Sequence, residues 1–259
     1  MRGLYSQGGS VGWESSLFLW APNVNPFRDP RWGRGQEVPS EEPLVCAEFA
    51  AQYIPGLQGE IRGSDGQPFL KTVATAKHFF DYDLEGAPTS DCSPDGFGWL
   101  VVASGGFCSL LTARVRSMTC PIDDGLKGVP GGPTDRQNIN VNVSKRDQVE
   151  YFSPPFEAAV KRGRTRSVMC SYNAVNGVPA CFTSAMLNGK MRGEWGFEGF
   201  VVSDCDALSD GASTRYIETV FNGSLAVQAQ QAIRAGTDLN CGQLYGEQVE
   251  WLPMTSDGF

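Results

Sequence analysis

The chain has 259 residues, 41% of them hydrophobic and 19% charged, which is enough to bury a sizeable core and unlike a disordered chain. A formal charge of -8 and a pI near 4.8 argue against nucleic acid or an anionic membrane as partner, because both need a concentrated basic surface. No apolar run approaches the roughly 20 residues of a membrane-spanning helix.

In chain order, short apolar runs alternate with helical patterns, the signature of βα units. Strands are predicted at 17–21, 72–78, 167–171, 199–203 and 237–240, and helices at 43–58, 144–162, 183–194 and 225–235. Ser144 is the expected N-cap of the second helix, with Asp147 three residues on, and Gly163 its stop. Lys161, Arg162, Arg164 and Arg166 close that helix and open the next loop, as cations favour helix C-termini. A closed (β/α)8 barrel needs eight strands and typically about 250 residues, so five strands over this length predict an incomplete barrel with an insertion. Residues 86–133, rich in Gly, Ser, Pro and Cys, are the expected irregular insertion. A loop over the active site, a lineage-specific insert and a mispredicted exon all fit it. The fold class is therefore α/β, a partial (β/α)8 TIM-type barrel in one unit spanning 1–259.

Polar residues follow each strand: Asn23 and Arg28 to Glu37, then Lys77 and His78, then Tyr172 and Asn173, then Asp204 and Asp206. Barrel active sites are built at the C-terminal ends of strands, so this repetition marks a site. Asp204 beside Arg and Lys is expected to stay ionised and could attack an anomeric carbon, or could merely cap the next helix. Lys77 and His78 are adjacent, and adjacent strand residues face opposite sides. Both can enter the barrel mouth only if the strand end carries an irregularity such as a bulge.

Eight cysteines without a C-x-x-C pair, and a single histidine, argue against zinc-type ligation, so no metal is expected. The serine-hydrolase pattern Gly8-Gly-Ser10-Val-Gly12 lacks the strand and helix it needs. Gly33-Arg-Gly35-Gln-Glu-Val38 lacks the third glycine of a dinucleotide site, and no phosphate-binding Gly-Lys-Ser/Thr loop is present, so no nucleotide cofactor is expected. An even cysteine count and the acceptor patterns Asn142-Val-Ser144 and Asn222-Gly-Ser224 fit an extracellular, glycosylated protein. The first residues hold no secretory apolar core, so the expectation is a secreted protein whose signal peptide lies outside this sequence.

Four ordered segments carry a specific resemblance. Ala21-Pro-Asn-Val-Asn-Pro-Phe-Arg-Asp-Pro-Arg-Trp-Gly-Arg-Gly-Gln-Glu37 and Ala74-Thr-Ala-Lys-His78 come first. Ser167-Val-Met-Cys-Ser-Tyr-Asn-Ala-Val-Asn-Gly-Val-Pro-Ala-Cys181 and Arg192-Gly-Glu-Trp-Gly-Phe-Glu-Gly-Phe-Val-Val-Ser-Asp-Cys205 follow. Together they resemble the N-terminal domain of glycoside hydrolase family 3, and are most similar to its β-xylosidase and α-arabinofuranosidase branch. The resemblance implies a retaining exo-glycosidase acting on terminal β-linked xylose of an oligosaccharide, with Asp204 as nucleophile. Arg34, Lys77 and His78 would bind hydroxyls of the cleaved sugar, and Met169 and Tyr172 would line its subsite. Glu37 fits the motif without an assigned role. Disulfides Cys170–Cys181 and Cys205–Cys241 are implied by the same analogy.

Members of this branch begin well upstream, with a segment that supplies the first strands and an acidic residue that holds the sugar. They continue into an α/β sandwich domain carrying the general acid/base, usually a glutamate. Neither part has a match here, so low activity of this chain alone is expected, and a non-catalytic carbohydrate-binding remnant is the alternative. No signal for oligomeric state is present.

Overall fold

The computed structural model describes residues 17–30, 32–84, 97–99, 114–116 and 136–248. Residues 8–12 and most of 86–133 lie outside them. Four strands form one parallel sheet in chain order: β1 (Phe18–Leu19), β2 (Val73–Phe79), β3 (Ser167–Cys170) and β4 (Phe200–Ser203). A parallel bridge from Val202 to Leu239 adds a fifth position. All five predicted strands are therefore present, the last reduced to a single bridge. Parallel neighbours in sequence order, each reached through a helical crossover, form an arc of a TIM-type barrel. Among the described residues the arc does not close. Within 86–133, Phe97–Trp99 and Arg114–Arg116 pair as a short antiparallel ladder, which the sequence reading did not anticipate.

Helix α1 (Pro43–Gln58) begins with Pro43 and is capped by the Glu42 carboxylate, which accepts from the Leu44 amide at 3.0 Å. It ends at Gly59, whose φ of 55° suits glycine. Its buried face, Cys46, Ala47, Ala50, Ala51 and Ile54, follows helical spacing and packs on α2 (Ser153–Lys161). Small residues on both helices allow close approach, and a Cβ on Gly163 would lie 3.1 Å from the Ala50 carbonyl.

The predicted helix 144–162 starts as expected, with the Ser144 hydroxyl accepting from the Asp147 amide at 3.0 Å. It is not one uniform helix: Gln148–Phe152 widen into a π turn before α2. Pro154 and Pro155 have no N–H to continue the i→i−4 ladder, which accounts for the break. The predicted helix 183–194 is likewise wide, at Ala185–Glu194.

Two α-helices among the described residues went unpredicted: the short Leu244–Gln248 and the longer α3 (Gly211–Phe221), capped by Asp210, which accepts from the Ser213 amide at 3.1 Å. Gly, Ser and Thr residues in its first turns obscure the helical pattern. After it comes α4 (Leu225–Ala235), with the predicted bounds. The core lies between sheet and helices, where Phe79 packs edge-on to Phe156 at 5.1 Å and to Trp195 at 6.1 Å.

Candidate active site

Asp204 follows β4 directly, with its amide bonded to the Cys170 carbonyl at 3.0 Å, so it sits at the C-terminal end of the sheet. Val201 joins the core on the helix side, so the alternation of the strand turns Val202 and Asp204 to the inner face. Met169 pairs with Val202 and shares that face, one layer below. Asp204 is not a helix cap, since Asp210 caps the next helix.

The irregularity required at the end of β2 is present. Ala76 pairs with Val168 and Phe79 with Cys170, so two residues, Lys77 and His78, stand opposite the single Met169. Ala76 and Phe79 both belong to the helix-side core, which leaves Lys77 and His78 to share the inner side. His78 reaches within 3.6 Å of Asp204, from Nε2 to Oδ2, and is 1% exposed.

The loop after β1 delivers Arg34. It runs alongside β2 through Val24, whose amide bonds the Lys77 carbonyl at 2.9 Å, and is tied farther out by the Arg28–Asp83 ion pair. Trp32 is buried edge-on against Tyr82, and a Cβ at Gly35 would overlap the Phe27 ring, so the turn needs glycine there. Arg34 holds Glu37 through two bonds, Nε to Oε1 at 2.6 Å and Nη2 to Oε2 at 2.8 Å, and its Nη1 donates to the Tyr82 hydroxyl at 3.4 Å.

Burial is the largest influence on Arg34, Glu37, Lys77, His78, Tyr172 and Asp204, and the neighbours decide which way each moves. Burial opposes the charge of Arg34, but Glu37 and Tyr82 outweigh it and its pKa rises. Burial likewise opposes ionisation of Glu37, yet Arg34 prevails and its pKa falls. Burial and then Arg34 lower the Lys77 pKa, against the pull of Glu37 and Asp204. Burial, then Arg34, Lys77 and Arg136, hold the His78 pKa well below that of a free imidazole, so the ring is neutral at neutral pH.

For Asp204 the sequence reading weighed the nearby cations and not the burial. Arg34, Lys77, Tyr172 and the Cys205 amide all favour its ionised form, but burial outweighs them and its pKa is raised. Tyr172, also raised by burial and by the Asp204 charge, lies beneath Arg136, whose guanidinium is 4.5 Å from the ring centroid.

Two disulfides brace the site. Cys170–Cys181 ties the end of β3 to the next loop, and Cys205–Cys241 ties the residue after Asp204 to the segment beyond the fifth strand position, with Cα separations of 5.2 and 4.4 Å.

A carboxylate, an arginine, a lysine and a neutral imidazole thus converge on one strand-end surface, and the chain can be placed by comparison. The glycosyl hydrolase family 3 N-terminal domain matches residues 17–92 and 132–248. The chain belongs to glycosyl hydrolase family 3. Beta-D-xylosidase 1 of Arabidopsis thaliana is 35% identical over 241 residues, covering 93% of this chain and 24% of that protein. Probable exo-1,4-beta-xylosidase bxlB of Aspergillus fumigatus is 35% identical over 240 residues, covering 92% and 24%. A solved family 3 exo-beta-xylosidase in complex with a xylobiose aziridine probe superposes with a TM-score of 0.63 at 29% identity, over 90% of this chain and 24% of that one. Beta-glucosidase 3B of Thermotoga neapolitana, solved with glycerol, gives 0.55 at 26%, over 90% and 22%. The chain spans about a quarter of the length of the family 3 relatives it matches.

Sequence reasoning placed Arg34, Lys77, His78, Met169, Tyr172 and Asp204, and the structure brings all six to the inner strand ends or the loop beside them. It missed Tyr82, whose ring contacts Trp32, His78 and Tyr172. It also missed Arg136 and Asn25. Asn173 and Asp206, grouped with the polar strand ends, are structural: Asn173 donates to the Phe80 and Asp81 carbonyls, and Asp206 turns the chain at a φ of 63°.

Proposed function

We propose that the chain carries the nucleophile side of a retaining glycosidase that removes terminal β-linked xylose from xylan-derived oligosaccharides. One observation carries the reading: Oδ1 of Asp204 accepts from the Cys205 amide at 2.8 Å, while Oδ2 is buried and has no hydrogen bond among the described residues. That oxygen is the free acceptor in a surface otherwise furnished with Arg34, Lys77 and a neutral His78.

In the first step Oδ2 forms a bond to the anomeric carbon as the glycosidic carbon–oxygen bond breaks, and the leaving oxygen takes a proton from a general acid. Water then releases the sugar from Asp204 with its configuration retained. Arg34, Lys77 and His78 bind sugar hydroxyls, and Met169 and Tyr172 line the subsite. A hydroxyl contact that strengthens in the transition state adds rate rather than mere affinity. Glu37 does not fit the general acid, because its two-point bond to Arg34 favours the ionised form, whereas an acid must hold its proton. We assign it to a carboxyl group outside the described residues; retaining glycosidases in general keep the two carboxyl groups about 5–5.5 Å apart. The reaction class needs neither metal nor nucleotide.

The choice of xylose rests on relatives named as β-D-xylosidases and on the structural match bound to a xylobiose-derived probe. The test is hydrolysis of dinitrophenyl glycosides, whose leaving group needs no acid, with the product anomer read by proton NMR. The β-xyloside should turn over fastest, with retention. Fastest turnover of the β-glucoside would overturn the sugar assignment. Binding of xylobiose without turnover of any activated glycoside would favour a carbohydrate-binding remnant.

Secretion belongs to the same reading. Two disulfides suit an oxidising compartment, and Asn142 and Asn222, the two acceptor asparagines, are both exposed. Protein recovered from the medium of a eukaryotic host should lose glycan mass on enzymatic deglycosylation, and should not when both asparagines are changed to Gln.

A further inference from the structure

The single histidine is held by one side chain in a way that decides more than its position. Asn25, buried to 1% exposure, donates from Nδ2 to the His78 carbonyl at 2.9 Å and accepts at Oδ1 from the His78 amide at 2.7 Å. These two backbone bonds fix which end of the amide is oxygen, since a flipped group would set donor against donor and acceptor against acceptor. The Asn25 backbone N–H in turn donates to Asn23 Oδ1 at 3.1 Å, so the clamp is anchored on the β1 side.

Oδ1 of Asn25 also lies 3.3 Å from Nδ1 of the imidazole. An amide oxygen can only accept, so this contact is a hydrogen bond only when Nδ1 carries the proton. The other nitrogen is then bare. It is Nε2, which faces Oδ2 of Asp204 at 3.6 Å, the oxygen without a hydrogen bond among the described residues.

We infer that Asn25 is a positioning residue that holds His78 as the Nδ1–H tautomer, so that Nε2 receives a substrate hydroxyl and leaves Oδ2 of Asp204 free to attack. In the opposite tautomer Nε2–H would point at Oδ2 and bond it, tying up the attacking lone pair. In the Nδ1–H form two acceptors converge instead, and the group that satisfies that gap is a donor brought by the ligand, a sugar hydroxyl. The consequence for rate rests on Asp204 being the nucleophile; the tautomer itself does not.

Because His78 is the only histidine in the chain, labelling histidine with nitrogen-15 yields one ring and no assignment problem. A long-range proton–nitrogen correlation at neutral pH, where the ring is uncharged, should show a proton-bearing Nδ1 and a bare Nε2. An Nε2–H tautomer, or an averaged mixture of the two, in the unaltered chain would overturn the inference. Asn25→Ala should move the ring toward the mixture and slow covalent labelling by a 2-deoxy-2-fluoro-β-xyloside about tenfold or more, with little change in the concentration that half-saturates it. Labelling at the original rate with a shifted tautomer would also overturn it. If Asn25→Ala does not fold, the spectrum of the unaltered chain still decides. A bare Nε2 with no sugar adduct would sink the nucleophile reading and keep the tautomer; an adduct with Nε2–H would do the reverse.

Discussion

Of the aspartates buried near the strand ends, Asp204 after β4 and Asp81 after β2, at 8% and 1% exposure, make the sharpest contrast. Burial raises the pKa of both. What surrounds them differs: Asp204 is opposed by Arg34, Lys77, the Tyr172 hydroxyl and the Cys205 amide, whereas burial of Asp81 is reinforced by the neighbouring charge of Asp83. Asp81 is pushed up to about 8, despite Gln148 and Arg28. At neutral pH it therefore keeps its proton for most of the time and cannot serve as a ready nucleophile. Burial alone does not separate a candidate nucleophile from a buried, protonated carboxyl; the sign of the neighbouring charge does.

The largest test of that contrast is kinetic. Asp204→Asn should lower hydrolysis of an activated β-xyloside on the order of 10⁴-fold, as loss of a catalytic group does, while Asp81→Asn leaves the rate within a few-fold. For the unaltered chain, kcat/KM should fall as pH drops through the raised Asp204 pKa, because the attacking group must be ionised.

Stability provides the converse. A folded-state pKa near 8 against 3.8 unfolded means that the folded chain holds the Asp81 proton where the unfolded chain releases it. That linkage favours folding fully below the unfolded pKa and is lost as pH climbs toward 8. Asp81→Asn should flatten this slope in denaturant titrations and stabilise the protein at neutral pH by at most about 5 kcal/mol. A variant less stable than the parent at pH 7 would break the comparison.

Next in size, Cys205→Ser with Cys241→Ser removes the brace beside Asp204 and should cost about 2–4 kcal/mol by chemical denaturation, with no effect on the Asp81 slope. The smallest expected effect is that of Glu37→Gln. It weakens the two-point grip on Arg34 and should lower kcat/KM for the β-xyloside about tenfold.

Strand bodies were legible because apolar runs with flanking turn residues mean the same thing in any βα fold, and α1 and α4 because their caps and periodicity agree. The site was legible in part: polar residues after successive strands located it, and the resemblance assigned roles. The adjacent pair Lys77 and His78 stated its own condition, a bulge, and the extra residue opposite Met169 meets it. Asn25 and Tyr82 were not legible because their importance lies in contacts across the fold, to residues 53 and 48 positions away. The direction of the Asp204 shift was not legible for a related reason: its cations can be read from sequence, but the depth of burial that outweighs them cannot. Helix α3 was lost behind the weak helix formers in its first turns.

The most direct test of the central claim is intact mass, followed by peptide mapping, after incubating the folded chain with a 2-deoxy-2-fluoro-β-xyloside bearing dinitrophenolate. The account predicts a gain of one fluorosugar, carried by the peptide containing Asp204 and absent from Asp204→Ala. A folded chain that gains no mass, or carries the sugar on another carboxylate, would contradict it.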